Sequence, residues 1–192
     1  QWAGGPTILM PLVYAAASPE TLALALQIIR HSTHRHQPNL EMMQAGGGYR
    51  VLAVFLQEKD ITDERSLDQC LAFAVHGLDP VARGASDMED AKHSVSGHGS
   101  MAACSTSSEH WVLSDVDAMN HLLLNHQVWD LQKYSPKFQL RILSTLNCLV
   151  EHNSVHKAFN ARRLHMIGVV RWALHLMLEA AELYAAGEYA VR

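Results

Sequence analysis

Charge is scarce in this chain. Asp, Glu, Lys and Arg make up 18% of its 192 residues, against roughly 25% in an ordinary soluble domain. A deficit of that kind fits surfaces covered by neighbouring structure. The charge balance is slightly acidic, −4 with the histidines neutral. No basic stripe is available to hold phosphates, which argues against a general nucleic-acid binder. Cysteine is equally sparse: Cys70, Cys104 and Cys148 are odd in number and far apart. With no Cys-x-x-Cys pair there is neither a disulfide framework nor a zinc ribbon, and the three fit reduced thiols in an intracellular protein. No apolar run reaches the roughly 18 residues that cross a bilayer. The best stretch, 166–181, is broken by Arg171, His175 and Glu179. Strand signals are missing too, with no sustained alternation and no Asn-Gly hairpin. The chain opens at Gln1 inside a repeat-like motif and has no visible signal peptide, so the expectation is a segment of a larger polypeptide.

What the sequence does hold is helical periodicity. Residues 19–33 begin with Ser18 as N-cap and Pro19 at the first helical position, where its missing N–H is harmless. Leu22, Leu26 and Ile29 follow at helical spacing, with Ala25 and Ile28 widening the face. The pattern predicts a shorter helix over 39–45, ended by Gly46-Gly47-Gly48, and an apolar helix over 48–58. Others are predicted over 5–17 (interrupted by Pro11), 66–77, 136–151, 156–163 and 164–186, with one or two more over 112–129. Thr62 or Asp63, and Ser114 or Asp115, stand where caps are needed.

The plan repeats. The run from Gly4 to Val13 parallels that from Gly47 to Leu56, a spacing within the roughly 40–47 residues of armadillo and HEAT units. Ser135-Pro136 opens a second sequence of long helix, short helix and apolar helix like that after Ser18-Pro19. There, Arg162-Arg163-Leu164 is read in place of the triple glycine. The expected fold is all-α, an armadillo/HEAT-like α-solenoid segment with a long polar insertion. Helical repeats are assigned to 1–78 and 111–192. A flexible insertion is assigned to 79–110, where Gly, Ser, Ala, Asp and His dominate and little apolar surface is available to offset ordering entropy.

Catalytic motifs are weak. His31, His34 and His36 cluster at a helix end, and Cys148, His152 and His156 fall at four-residue steps. A helical metal enzyme would draw on His31, His34, Cys148, His152 and His156. The ordinary account is imidazoles placed favourably at a helix C-terminus, with Cys148 in the core. Ser96-Gly97-His98-Gly99-Ser100 lacks the strand and helix that hold a nucleophile elbow. Gly46-Gly47-Gly48 lacks the Lys and Ser/Thr of a phosphate loop. No catalytic, cofactor or metal residues are assigned. Arg162 and Arg163 form a basic patch, and Trp129 is an aromatic of the kind found at interfaces. These three are the expected partner-binding residues.

The stretch from Ala17 to Ile61, with its polar break over 36–43 and Gly47-Gly48-Tyr49 leading to Leu52-Ala53 and Leu56, resembles the armadillo-like region of BEACH-domain proteins. That family includes neurobeachin, the lysosomal trafficking regulator and the autophagy-linked FYVE protein. The resemblance covers 4–78 well and 135–178 loosely. It implies a non-catalytic scaffold segment in vesicle trafficking, lysosome biology or autophagy. Such a segment would be cytoplasmic, would bind other proteins and no nucleic acid, and would reach endomembranes peripherally through the full-length chain. The rival readings are an armadillo-type adaptor outside trafficking, cytoskeletal or ciliary, and the metal-dependent enzyme.

Overall fold

A computed structural model describes residues 5–78, 109–131 and 133–186. The first helical stretch divides as its prolines dictate. A 3-10 turn, Gly5–Leu9, leads into α1, Met10–Ala15, with Pro11 in the first turn of α1, where no intrahelical N–H is required. Next comes α2, Pro19–Thr33, closed at its start by a reciprocal cap. Ser18 Oγ accepts from the Thr21 N–H at 3.3 Å, and Thr21 Oγ1 accepts from the Ser18 N–H at 3.0 Å. The short α3, Gln37–Ala45, ends at Gly46, and α4 spans Gly48–Gln57. Asp63 caps α5, Glu64–Ala74, accepting from the Ser66 N–H at 2.9 Å.

Two departures follow. Residues 75–77 leave the helix predicted over 66–77. Instead β1, Val75–His76, pairs antiparallel with β2, Val112–Leu113, bringing Val75 opposite Leu113. Two-residue strands carry no alternation to read, so no sequence pattern announces them. The helix predicted over 112–129 shrinks to α6, Val116–Ala118, and a π-helical turn, Met119–Leu123, closed by the Leu124 N–H to Met119 O bond. Asp115 is the cap, accepting from the N–H groups of Asp117 and Ala118 at 3.0 Å each. The insertion assigned to 79–110 falls outside the described residues except for Glu109 and His110.

The C-terminal part comprises α7, Lys137–Val150, α8, Lys157–Met166, and α9, Val169–Ala185. Its opening differs from α2: Pro136 sits at the cap position and Ser135 Oγ offers only a 3.4 Å contact to the Lys137 N–H. The described structure is helical apart from the β1–β2 pair. α2 packs on α5, α4 on α1, α3 and the π turn, α5 on α7, and α9 on α8. A continuous core runs through them, with Leu22, Leu26, Leu52, Leu67, Leu71 and Ile142 fully enclosed. Cys70 is free and buried. Cys148, expected as a reduced thiol, is disulfide-bonded, a pairing that spacing along the sequence does not disclose.

Candidate docking surface

The two three-helix runs share a hinge. Between α3 and α4 stands Gly47 at φ +68°, and between α8 and α9 stands Gly168 at φ +74°. Both occupy the left-handed region, which other residues enter at a cost of roughly 1–2 kcal/mol. A Cβ at either position would meet nothing within 4 Å, so conformation alone calls for glycine. Gly168 is therefore the counterpart of the triple glycine, in place of the expected Arg162-Arg163-Leu164. A second shared device lies in each short helix. The Asn39 side-chain amide donates to Ser32 O at 2.6 Å, and that of Asn160 donates to Leu149 O at 2.9 Å. Each ties the first turn of a short helix to the end of the preceding long one.

Asn160 goes further. Fully buried, it also donates to Trp111 O and accepts from the Leu113 N–H, both at 2.9 Å. One side chain thus joins α7, α8 and β2. Asp115 performs the corresponding task in the first half. Besides capping α6 it accepts from Tyr49 Oη at 2.7 Å and Gln44 Nε2 at 3.1 Å. Burial, followed by the neighbouring Asp115 charge, pushes the Tyr49 phenol far above its usual range, so it stays a neutral donor. Sequence reading missed both joints, because an Asn in a polar helix and an Asp before an apolar run are common surface residues.

The expected partner-binding residues separate. Trp129 lies inside the core: its indole N–H donates to Leu122 O at 2.6 Å and its ring stacks on Phe138 at 5.6 Å. That placement leaves almost no surface for a partner. Arg163 is engaged internally, donating to Leu113 O at 2.8 Å and lying 5.2 Å over the Phe159 ring. Arg162 is exposed. The structure does not bring these three together. The histidine and cysteine candidates do not converge either. Among the described residues, no group of three or more His, Cys, Asp or Glu side chains is placed to hold a metal.

The exposed apolar surface lies on α9. Val170, Leu174, Met177 and Leu178 are 66%, 57%, 67% and 64% exposed, while Trp172 and Leu176 on the opposite side are buried. A helix apolar on both sides is normally enclosed. Beside it opens a cleft of about 600 Å³ lined by Met166, Arg171, Trp172, Leu174, His175 and Leu178 among others. His126, on the chain after the π turn, also lines it. Its ring stacks on Trp172 at 5.9 Å, approaches His175 at 4.3 Å and places Nδ1 3.5 Å from Glu179. Glu179 favours the charged imidazole, but burial outweighs it, with the His175 neighbour adding to the effect, and the His126 pKa is lowered. Among the described residues no single helix is long and apolar enough to cross a membrane, although α8 and α9 would pass that test together as a pair bent by 66°.

A partial likeness to a known protein exists. Protein SPIRRIG of Arabidopsis thaliana is 38% identical over 66 residues, which is 34% of this chain and 2% of that protein. No family model matches the chain, and no solved structure matches it.

Proposed function

We propose that the chain is a non-catalytic, armadillo-like α-solenoid segment of a large BEACH-type scaffold. The observation that carries the solenoid reading is the unit built twice: long helix, short helix, left-handed glycine, apolar helix, with an Asn tie at the same joint. The similarity to SPIRRIG, a BEACH-domain protein, supports placing the segment in that family. In such a protein, stacked helices supply a rigid surface for other proteins. Its setting would be cytoplasmic trafficking, lysosomal or autophagic machinery, with peripheral contact to endomembranes made by the full-length polypeptide.

Sequencing the full-length transcript tests this reading. A downstream BEACH module followed by WD repeats is the expected result. Flanks carrying cytoskeletal or ciliary modules would move the segment to an unrelated adaptor. Stoichiometric zinc or iron in the purified protein would revive the enzyme reading.

A further inference from the structure

We propose that the cleft where α2, α5 and β1 end receives a phosphoserine or phosphothreonine of a partner protein, with an apolar side chain of that partner beside it. This deepens the scaffold reading and rests on it. The cleft measures about 720 Å³, within the roughly 300–1,000 Å³ of ligand pockets. Arg30 reaches it from the last turn of α2, His34 and Arg35 from the turn that follows, and His76 from β1. Leu40, Phe73, Val75 and Leu78 form its apolar part.

Basic side chains at a helix end commonly serve the unpaired carbonyls there. In this cleft neutral donors already fill that role. Ile29 O accepts from Ser32 Oγ at 2.6 Å and Arg30 O from Thr33 Oγ1 at 2.8 Å. Ser32 O accepts from the Asn39 amide at 2.6 Å and Thr33 O from the His36 N–H at 3.2 Å. At the end of α5, Leu71 O accepts from the Val75 N–H, and Ala74 O from the Ser114 N–H and hydroxyl. The positive groups are left to face the cleft.

The described residues supply no acid to meet them. His31, His34, Arg35 and His76 make no ion pair among those residues. Asp115 is the carboxylate in the lining, and its oxygens already take four donors: the N–H groups of Asp117 and Ala118, the Tyr49 hydroxyl and the Gln44 amide. Buried Gln69 steadies Arg30 at the edge, accepting from its Nε at 3.1 Å. The His34 and His76 rings lie nearly parallel, 6.2 Å apart. Burial, then Arg35, His76, Arg30 and His31, lowers the His34 pKa. Every charged neighbour that shifts it is thus an arginine or an imidazole.

Phosphate fits this set better than a lone carboxylate. On serine it carries about −1.5 to −2 charges and three acceptor oxygens, enough to engage donors on both sides of the cleft. Clusters of arginine are a recurring means of reading such groups. A bilayer fits less well. The apolar residues of the cleft are buried or half-buried, so none projects to anchor in lipid, and the whole chain carries −4.

The test uses the 192-residue chain and two fluorescein-labelled libraries of nine-residue peptides. They are identical except that one has phosphoserine fixed at the centre and the other serine. Fluorescence anisotropy is expected to show the phosphorylated library binding about tenfold tighter, an advantage that shrinks as salt rises. Peptides retained by the chain should be enriched in Leu, Ile, Val, Phe or Met beside the phosphoserine. In proton NMR the imidazole signals of His34 and His76 should shift on addition of that library, and those of His126 and His175 should not. Arg35→Glu with His76→Glu should remove the preference while weak binding of the serine library persists. Arg35→Lys with His76→Lys should retain it; circular dichroism checks that both variants remain helical.

Equal affinity for the two libraries, unmoved His34 and His76 signals, or an unchanged preference in the charge-reversed variant would overturn the proposal. So would inorganic phosphate binding as tightly as the phosphorylated library, or sedimentation with phosphatidylinositol-phosphate vesicles that this library does not displace. Each of these failures leaves the flanking-sequence test of the scaffold reading standing.

Discussion

The run α2–α3–α4 and the run α7–α8–α9 follow one local plan and meet different surroundings. Each turns from a short helix into an apolar one through a left-handed glycine. In the first, Tyr49, Ala53 and Leu56 are buried on a helix packed by α1, α3 and the π turn; in the second, Val170, Leu174 and Met177 stand open. Arg50 reaches His121 in the π turn, while its counterpart Arg171 makes no such bond among the described residues. Equivalent local sequence therefore produces equivalent helices. Burial depends on what the rest of the chain delivers to the helix.

The largest expected effects probe the buried joints. Asn160→Ala strands the Leu113 N–H and two carbonyls in the core and should cost about 3 kcal/mol or more in urea denaturation, since each unsatisfied buried group costs roughly 1–3 kcal/mol. Asn39→Ala, which loses one half-buried bond, should cost about 1 kcal/mol. Equal costs would mean that the two ties do the same work and the asymmetry is superficial. A similar contrast holds for leucines: Leu52→Ala should lose about 2–5 kcal/mol, and Leu174→Ala about 0.5 kcal/mol or less.

The glycines sharpen the comparison from the other side. Gly47→Ala and Gly168→Ala should each cost roughly 1–2 kcal/mol, and about equally, because backbone conformation alone is at stake in both. A marked inequality in melting midpoint would show that the hinges are not equivalent.

The smallest effect is a pH dependence at His126, which packs on α9. The His126 pKa lies below its reference value of 6.5 in the folded protein. As pH falls through 6.5 the unfolded chain gains a proton that the native state still resists, so stability declines on acidification and is restored at higher pH. Asp, Glu and the other histidines also titrate on this path, so the informative quantity is a difference. His126→Gln should flatten part of the fall in melting temperature between about pH 7 and 5. An unchanged slope would place the sensitivity elsewhere, for example at His34 or His121, whose pKa values burial also lowers.

Much of the fold was legible residue by residue. Ser18 caps α2 as expected, one of each pair of cap candidates, Asp63 and Asp115, caps the next helix, and the stripe Leu22, Leu26, Ile29 is buried. These are short-range signals, set by hydrogen-bond geometry within one turn and by a 3.6-residue period. The candidate site was far less legible. Trp129 carries the same composition signal whether it faces a partner or Phe138, and Arg163 gave no sign that β2 would claim it. Gly168 escaped notice because one glycine between Ile167 and Val169 looks unremarkable until its φ is known. Asn160 is polar within a polar helix, and only three converging backbone groups reveal its role.

By itself the sequence determined most of the helices, the Ser18 cap and the glycine break before α4, since each depends on groups a few residues apart. The tertiary structure alone decided which apolar faces are covered, because burial is a property of pairs of elements: Tyr49 found Asp115, 66 positions along the chain, and Val170 found no such neighbour among the described residues.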